Sequence, residues 1–178
     1  MISESWYWKK PLLDMAMRLQ KFRTAKRLTP KRLIQIERDV FIGFYSVRKL
    51  IESQTKLTDA TKSLKLSVER YPNRKRVNWF NNRCIDELYD LDKRSQETRD
   101  LPFVCGRIIH SFIFMPYVGE HGGLEGIFFT SDTDKNVRLY SMPIDSVIDI
   151  FQRVGDDDPV HIHSIRGKSS EDDKLQVT

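Results

Sequence analysis

The chain has no long run of apolar residues and no recognisable targeting segment. None of its 178 residues lies in a stretch approaching the ~18–20 apolar residues that a transmembrane helix needs. Residues 1–10 also lack the apolar stretch behind a basic start that is typical of a secretory signal peptide. We therefore expect a cytoplasmic protein that does not contact a membrane.

Cysteine is equally scarce. The only two cysteines, Cys84 and Cys105, do not form a CxxC pair and are too few to indicate a disulfide framework. Isolated cysteines in a reducing compartment usually behave as small apolar residues. We predict two buried, free thiols.

The sequence motifs of common enzyme classes are absent as well. The glycines form neither GxxxxGK(S/T) nor GxGxxG, and neither GxSxG nor HExxH occurs. We find no helix-turn-helix, zinc-finger, RNA-recognition or KH signature. These absences favour a binding protein over an enzyme, and we expect no cofactor.

The chain contains enough apolar residues to form one hydrophobic core. Hydrophobic residues make up 39% and aromatic residues 11% of the sequence, and the length fits a single domain. We predict one α+β domain over residues 1–166 and a disordered, charged tail over 167–178. The domain divides into a helical half (1–54), a mixed middle (55–100) and a β-rich half (101–166).

The helical half shows two segments with helical periodicity. The first spans about Trp6 to Leu28, or begins near Lys10 if Pro11 marks its first turn. Thr29 and Pro30 are a strong start signal for the second helix. The apolar positions of that second helix, spaced by three or four residues, are Leu33, Ile36, Val40, Phe44, Val47 and Ile51. The short link predicts an antiparallel helix pair.

The remainder of the chain favours strands. Alternating apolar residues predict a short strand over 64–68, whereas the polar segment 93–100 is typical of a loop. Residues 102–109 fit a helix or a buried strand, and we favour the helix. The later elements that we predict are strands at 111–118, 124–131 and 137–142, a helix from Pro143, and a last strand at 160–165. The expected fold is α+β, with the N-terminal helix pair packed against a small, mainly antiparallel sheet and a C-terminal helix.

Charge is distributed unevenly along the chain. Residues 1–54 carry 12 Lys/Arg against 5 Asp/Glu (+7), residues 55–100 carry 11 against 8 (+3), and residues 101–178 carry 7 against 12 (−5), which sums to the net +5. Such asymmetry predicts either a negatively charged partner or attraction between the two ends of the protein itself.

The basic residues of the first two helices are the main candidate site. A row of cations suits phosphate groups, so we expect a binding or adaptor protein that contacts nucleic acid or an acidic protein through this surface. The candidate contacts are Lys9, Lys10, Arg18, Lys21, Arg23, Lys26, Arg27, Lys31 and Arg32. A solvated helical face is the alternative interpretation.

Two other functions stay open. Arg107 and His110 would share one face of a helix, where a histidine can move protons and an arginine can stabilise phosphate charge, so an RNA-cleaving enzyme or toxin-like effector is the alternative function. The aromatic residues at positions 6–8 would also suit an immunity or antitoxin-like protein interface.

Metal binding has only minor candidates. His161 and His163 would point to the same face of a strand, but the spacing defines no third ligand. Asp132, Asp134 and Asn136 resemble the start of a calcium loop, yet Val137 replaces the glycine that such a loop requires. A hairpin turn is the better interpretation of that segment.

Overall fold

The computed structural model describes residues 2–165 and 174–178. These residues contain four longer helices and two single-turn helices. The helices are α1 (Trp6–Arg23), α2 (Pro30–Glu52), α3 (Asp59–Lys62), α4 (Ile85–Leu88), α5 (Leu101–Ile109) and α6 (Ile144–Asp156). The predicted α+β fold is confirmed.

Five strands form one antiparallel sheet, and two short strands pair separately. The strands are β1 (Lys65–Pro72), β2 (Ser95–Asp100), β3 (Ser111–Val118), β4 (Leu124–Ser131), β5 (Arg138–Pro143), β6 (Ile162–Ile165) and β7 (Lys174–Val177). The sheet order is β2-β1-β5-β4-β3, so β2 and β3 are its edges, while β6 pairs with β7. The hairpin turn predicted between β4 and β5 is confirmed.

The N-terminal helices pack together as predicted, but the first one is shorter. Helix α1 begins at Trp6, so Pro11 lies within it, and it ends at Arg23 rather than Leu28. Thr29 has an extended backbone (ψ 159°) because the residue before a proline disfavours helical geometry. Its side chain caps α2 by accepting a hydrogen bond from the backbone N–H of Arg32.

The main core lies between the sheet and helices α1, α2, α5 and α6. Fully buried side chains from both layers meet there, and Phe44 of α2 packs edge-on against Phe151 of α6. A second, smaller core covers the opposite face of the sheet, where Tyr71 and Leu139 pack beneath Val77, Leu88 and nearby residues. The strands therefore bury both faces over part of their length.

The prediction of a loop over 93–100 is wrong, since Ser95–Asp100 forms the edge strand β2. It lacks apolar alternation because it is held by backbone pairing and charge rather than by burial. Glu97 lies within ion-pair distance of Arg70 on the adjacent strand β1 (3.3 Å) and of Arg138 on β5, one strand further into the sheet (3.6 Å). Charged side chains are common on edge strands, where they discourage further pairing.

The prediction of a disordered tail over 167–178 fails for its last residues. Lys174–Val177 pairs with β6, Val177 is buried, and Thr178 exchanges backbone hydrogen bonds with His161. The interval 166–173 lies outside the described residues. A four-residue strand is too short to show a pattern in the sequence.

The two thiols differ in burial. The prediction of buried thiols holds for Cys105 but not for Cys84, which is exposed at the N-cap of α4. Within the described ranges, no helix has the length and apolar character required to cross a membrane.

Candidate nucleic-acid interface

The nine candidate cations divide into two groups, and the clearest member of the first is Arg18. Its Nε and Nη2 each donate to a carboxylate oxygen of Asp39 at 2.9 Å, joining α1 to α2. Asp39 is almost fully buried and also accepts from Gln35 at 2.9 Å. The hydrogen bond to Asp39 raises the pKa of Arg18. Arg18 therefore stabilises the helix pair and is not available to a ligand.

Lys9, Lys10 and Arg23 belong to the same group. The ammonium of Lys9 is buried and donates to the backbone carbonyl of Asp157, and burial lowers the pKa of Lys9. Lys10 pairs with Asp14 one turn along α1. Arg23 lies 2.7 Å from Asp145 at the start of α6. Lys9 and Arg23 therefore connect α1 to the end and the start of α6, and Lys10 is paired within α1, so none of the three is unpaired.

The second group consists of five exposed cations, which we call the basic turn: Lys21, Lys26, Arg27, Lys31 and Arg32. It covers the end of α1, the link to α2 and the first turn of α2. Throughout the part of the chain that the structure describes, none of these five cations has an ion-pair partner. Arg32 donates to the backbone carbonyl of Arg27 at 2.9 Å, which connects the link to the helix.

The backbone of the basic turn is supported by the glycines between β3 and β4. Gly122 has a φ of +82°, and a Cβ at this position would overlap the carbonyl oxygen of Lys26. A Cβ on Gly123 would overlap the carbonyl oxygen of Arg23. Only glycine permits both this conformation and this close approach. The sequence predicted a turn here but not its contact with the link.

The start of α2 has an unfavourable electrostatic arrangement. The N-terminus of a helix carries partial positive charge and favours acidic side chains. Helix α2 has no acidic residue in its first turn and instead carries Lys31 and Arg32 there. Each such cation costs roughly 0.3–1 kcal/mol, a cost that a bound anion would remove. Local violations of this kind are expected at functional sites.

An open pocket of about 640 Å³ lies beside the basic turn, but its walls are of mixed charge. Arg23 contributes to the wall, as do the acidic residues Glu120, Glu125 and Asp145. The pairing of Arg23 with Asp145 leaves the pocket with an excess of acidic groups. The pocket is therefore not part of the positive surface.

Arg107 and His110 do line one open pocket, of about 380 Å³, at the end of α5. The Nε of Arg107 lies 2.8 Å from Oδ2 of Asp134 in an ionic contact without aligned hydrogen-bond geometry. Its Nη1 is 3.3 Å from the hydroxyls of Ser131 and Thr133. The positive charge of Arg107 is thus already neutralised, and His110 is exposed.

His161 and His163 are both exposed, and the centroids of their rings are 6.3 Å apart. The nearby Asp157 accepts hydrogen bonds from the backbone N–H and hydroxyl of Thr58 at 3.0 and 2.7 Å. Among the residues with described positions, no group of three His, Cys, Asp or Glu side chains is placed to hold a metal ion.

Two pairs of adjacent large aromatic side chains are exposed, one at the start of α1 and one in the loop before α4. Trp6 and Tyr7 are exposed at the start of α1, whereas Trp8 packs against the main core. Sequence reasoning missed Trp79 and Phe80, which are 76% and 100% exposed. The only signal in the sequence was the cluster of basic residues on either side of them.

Comparison with known proteins assigns the chain to no family. No family model, curated protein or solved structure matches it.

Proposed function

We propose that the protein is a non-enzymatic binding protein whose basic turn contacts the phosphate backbone of a nucleic acid. The proposal depends on one observation about the nine candidate cations. Four of them contact oxygen atoms of the protein itself, and five are exposed without an ion-pair partner among the described residues. The unpaired group is exposed and lies on the glycine-supported link and on the adjoining turns of the two helices. Lysine and arginine in such a row are the usual means of binding phosphates.

The uneven charge of the chain supports an external partner. If the basic and acidic ends neutralised each other, ion pairs would connect residues 1–54 with residues 101–178. Among the described side chains, the pair of Arg23 and Asp145 is the only one that does so. The positive charge of the helical half is therefore directed mainly to solvent.

The composition of the basic turn favours phosphates over an acidic protein. Between positions 21 and 32 no large apolar side chain is exposed, since Phe22 and Leu28 pack against the main core. Protein interfaces usually depend on buried apolar or aromatic anchors and contain few lysines at their centres. All the charged residues between positions 21 and 32 are lysine or arginine, which suits the charged, regular backbone of a nucleic acid.

RNA cleavage by Arg107 and His110 has less support. A catalytic arginine must stabilise charge that develops on the phosphate. Here the Asp134 carboxylate already occupies the guanidinium of Arg107. The observations therefore favour a binding role.

The test is binding of labelled oligonucleotides to two matched variants of the full chain. The first variant changes Lys21, Lys26, Arg27 and Lys31 to Gln, and the control changes Lys49, Lys65, Lys93 and Arg94 to Gln. Both remove four positive charges, but only the first removes them from the basic turn. We expect fluorescence anisotropy at low salt to show at least about a 100-fold loss of affinity for the first variant and little change for the control.

Equal losses in the two variants would show that net charge, not the basic turn, determines binding. Absence of binding by the unmodified protein, together with capture of an acidic protein that depends on the same lysines, would assign the surface to a different class of partner.

A further inference from the structure

Residues 74–83, which we call the aromatic loop, expose two large rings away from the basic turn. Phe80 is fully exposed and Trp79 is 76% exposed. Single exposed apolar residues are common, but two adjacent large aromatic rings held out from the surface are typical of binding sites. The aromatic loop joins β1 to α4 and lies over the smaller core.

Asparagine side chains hold the loop in one shape. The backbone N–H of Asn78 donates to Oδ1 of Asn81, and that of Phe80 donates to Oδ1 of Asn78, both at 2.8 Å. The amide of Asn81 donates to the carbonyl of Arg76 at 2.9 Å. A loop that is already ordered loses little conformational entropy when a ligand binds to its rings.

The Trp79 ring packs against the protein on one side, and most of its area is exposed to solvent. The ring lies against Phe112 of β3, with centroids 4.7 Å apart. Lys135 places its ammonium 3.9 Å from the centroid of the same Phe112 ring. Since one side of the Trp79 ring is supported and most of its area is exposed, a flat ligand has a rigid surface on which to stack.

The loop is positively charged. Residues 74–83 contain four cations and no acidic residue. Arg74 and Lys75 pair with carboxylates of the segment 86–90 that follows. Arg76 and Arg83 are exposed and have no ion-pair partner in the described ranges. The two free guanidiniums lie on either side of the two rings in the sequence.

We infer that the aromatic loop is a binding site for single-stranded nucleic acid. Unpaired bases stack on Trp79 and Phe80, while Arg76 and Arg83 contact the adjoining phosphates. Base–aromatic stacking requires bases that are not already stacked in a duplex, so this site distinguishes single strands from duplexes. An acidic peptide would satisfy the cations but would provide no flat groups for both rings.

This site is separate from the basic turn and goes beyond the function proposed above. Trp79 lies against Phe112 near the start of β3, whereas the basic turn lies against Gly122 and Gly123, just after the end of β3. The eight residues of β3 span ~25 Å at the usual rise of a strand. The two surfaces therefore contact different parts of a ligand, and each is tested by its own variants.

The experiment compares binding of the full chain to a labelled single strand and to a duplex of equal length. The single strand is an oligothymidine of about 16 nucleotides, which is the upper end of site sizes for single-strand-binding folds. The test variant is Trp79→Ala/Phe80→Ala, and the matched control is Trp6→Ala/Tyr7→Ala, which removes two exposed aromatic rings from α1. We expect the test variant to lose at least about tenfold in affinity for the single strand and to keep its affinity for the duplex. The control variant keeps both affinities.

Two further readouts separate stacking from an effect on folding. Trp79→Phe retains a ring, so it should restore most of the single-strand affinity. In the Trp6→Ala/Tyr7→Ala background, oligothymidine should quench tryptophan emission, and this quenching should disappear when Trp79 is also changed to Phe.

Unchanged single-strand affinity in Trp79→Ala/Phe80→Ala would overturn the inference, as would an equal loss for single strand and duplex in a folded variant. If the basic-turn variant kept its affinity, the proposed function would be contradicted, but the inference about the aromatic loop would stand. The two outcomes are distinct because we expect the basic turn to bind both the single strand and the duplex, and the aromatic loop to bind the single strand alone.

Discussion

Arg18 and Lys21 lie one turn apart on α1, yet the structure gives them different roles. Arg18 neutralises the buried carboxylate of Asp39, whereas Lys21 extends into solvent. Two cations with the same charge and neighbouring positions therefore differ in what their removal would cost. This difference decides which basic residues are available to a ligand.

We predict that Arg18→Gln lowers the free energy of unfolding by about 2 kcal/mol, somewhat below the ~3–5 kcal/mol typical of a fully buried pair, because the Arg18 side chain is 40% exposed. Lys21→Gln, the matched control, should change it by less than about 0.5 kcal/mol. Urea unfolding followed by circular dichroism measures both. Similar values for the two variants would mean that the contact between Arg18 and Asp39 does not stabilise the helix pair.

The two thiols should differ in reactivity. Burial raises the pKa of Cys105 to about 12, so at pH 8 it is neither accessible nor ionised, whereas Cys84 is exposed. We expect iodoacetamide to add one group per folded chain at pH 8, at Cys84, and two in urea. Mass spectrometry of the intact protein gives the count. A folded chain that acquires two groups as fast as an unfolded one would contradict the burial of Cys105.

The same thiol contributes to the dependence of stability on pH. Its pKa is higher in the folded chain than the ordinary value of 9.0, so the unfolded chain releases this proton first. The contribution is therefore complete below pH 9 and is lost as the pH rises from 9 to about 12.

Among the elements, the turn between β3 and β4 shapes the basic turn. Gly122→Ala would force an alanine into a left-handed conformation and against the carbonyl oxygen of Lys26. We expect a loss of about 1–3 kcal/mol in the free energy of unfolding and weaker binding of nucleic acid, because the link between α1 and α2 must shift.

The control for this prediction is Gly106→Ala in α5, where an added Cβ meets no atom within 4 Å. Alanine is favoured over glycine within a helix, so this variant should gain about 0.5–1 kcal/mol. Thermal unfolding compares the two variants directly. A Gly122→Ala protein as stable as Gly106→Ala would show that the turn tolerates a side chain there.

The elements that the sequence predicted well are those with a buried face. Helix α2 starts at the expected capping residue, and strands β3 and β4 have the predicted bounds because both are rich in apolar residues and the glycine-rich turn at 119–123 separates them. The edge strand β2 was missed because ion pairs and backbone bonds, not apolar burial, hold it. The spacing of apolar residues indicates burial, so it does not reveal a strand that is held only by ion pairs and backbone hydrogen bonds to its neighbours.

At the scale of the whole molecule, two positive surfaces lie at the two ends of β3. The sequence was sufficient to identify the cations of the helical half but not to show which of them are free. Arg23, for example, is neutralised by Asp145, which is more than one hundred residues away in the chain. Trp79 likewise cannot be told from a core tryptophan until its surroundings are known.

The central claim is that the five cations of the basic turn contact phosphates, and the salt dependence of duplex binding tests it most directly. Each phosphate contact contributes roughly −0.9 to the slope of log K against log of salt concentration, so five contacts predict a slope of about −4 to −5. Changing Lys21, Lys26, Arg27 and Lys31 to Gln should reduce that slope to about −1, since one contact remains. A slope that is near zero in the unmodified protein, or that is the same in both proteins, would contradict the account.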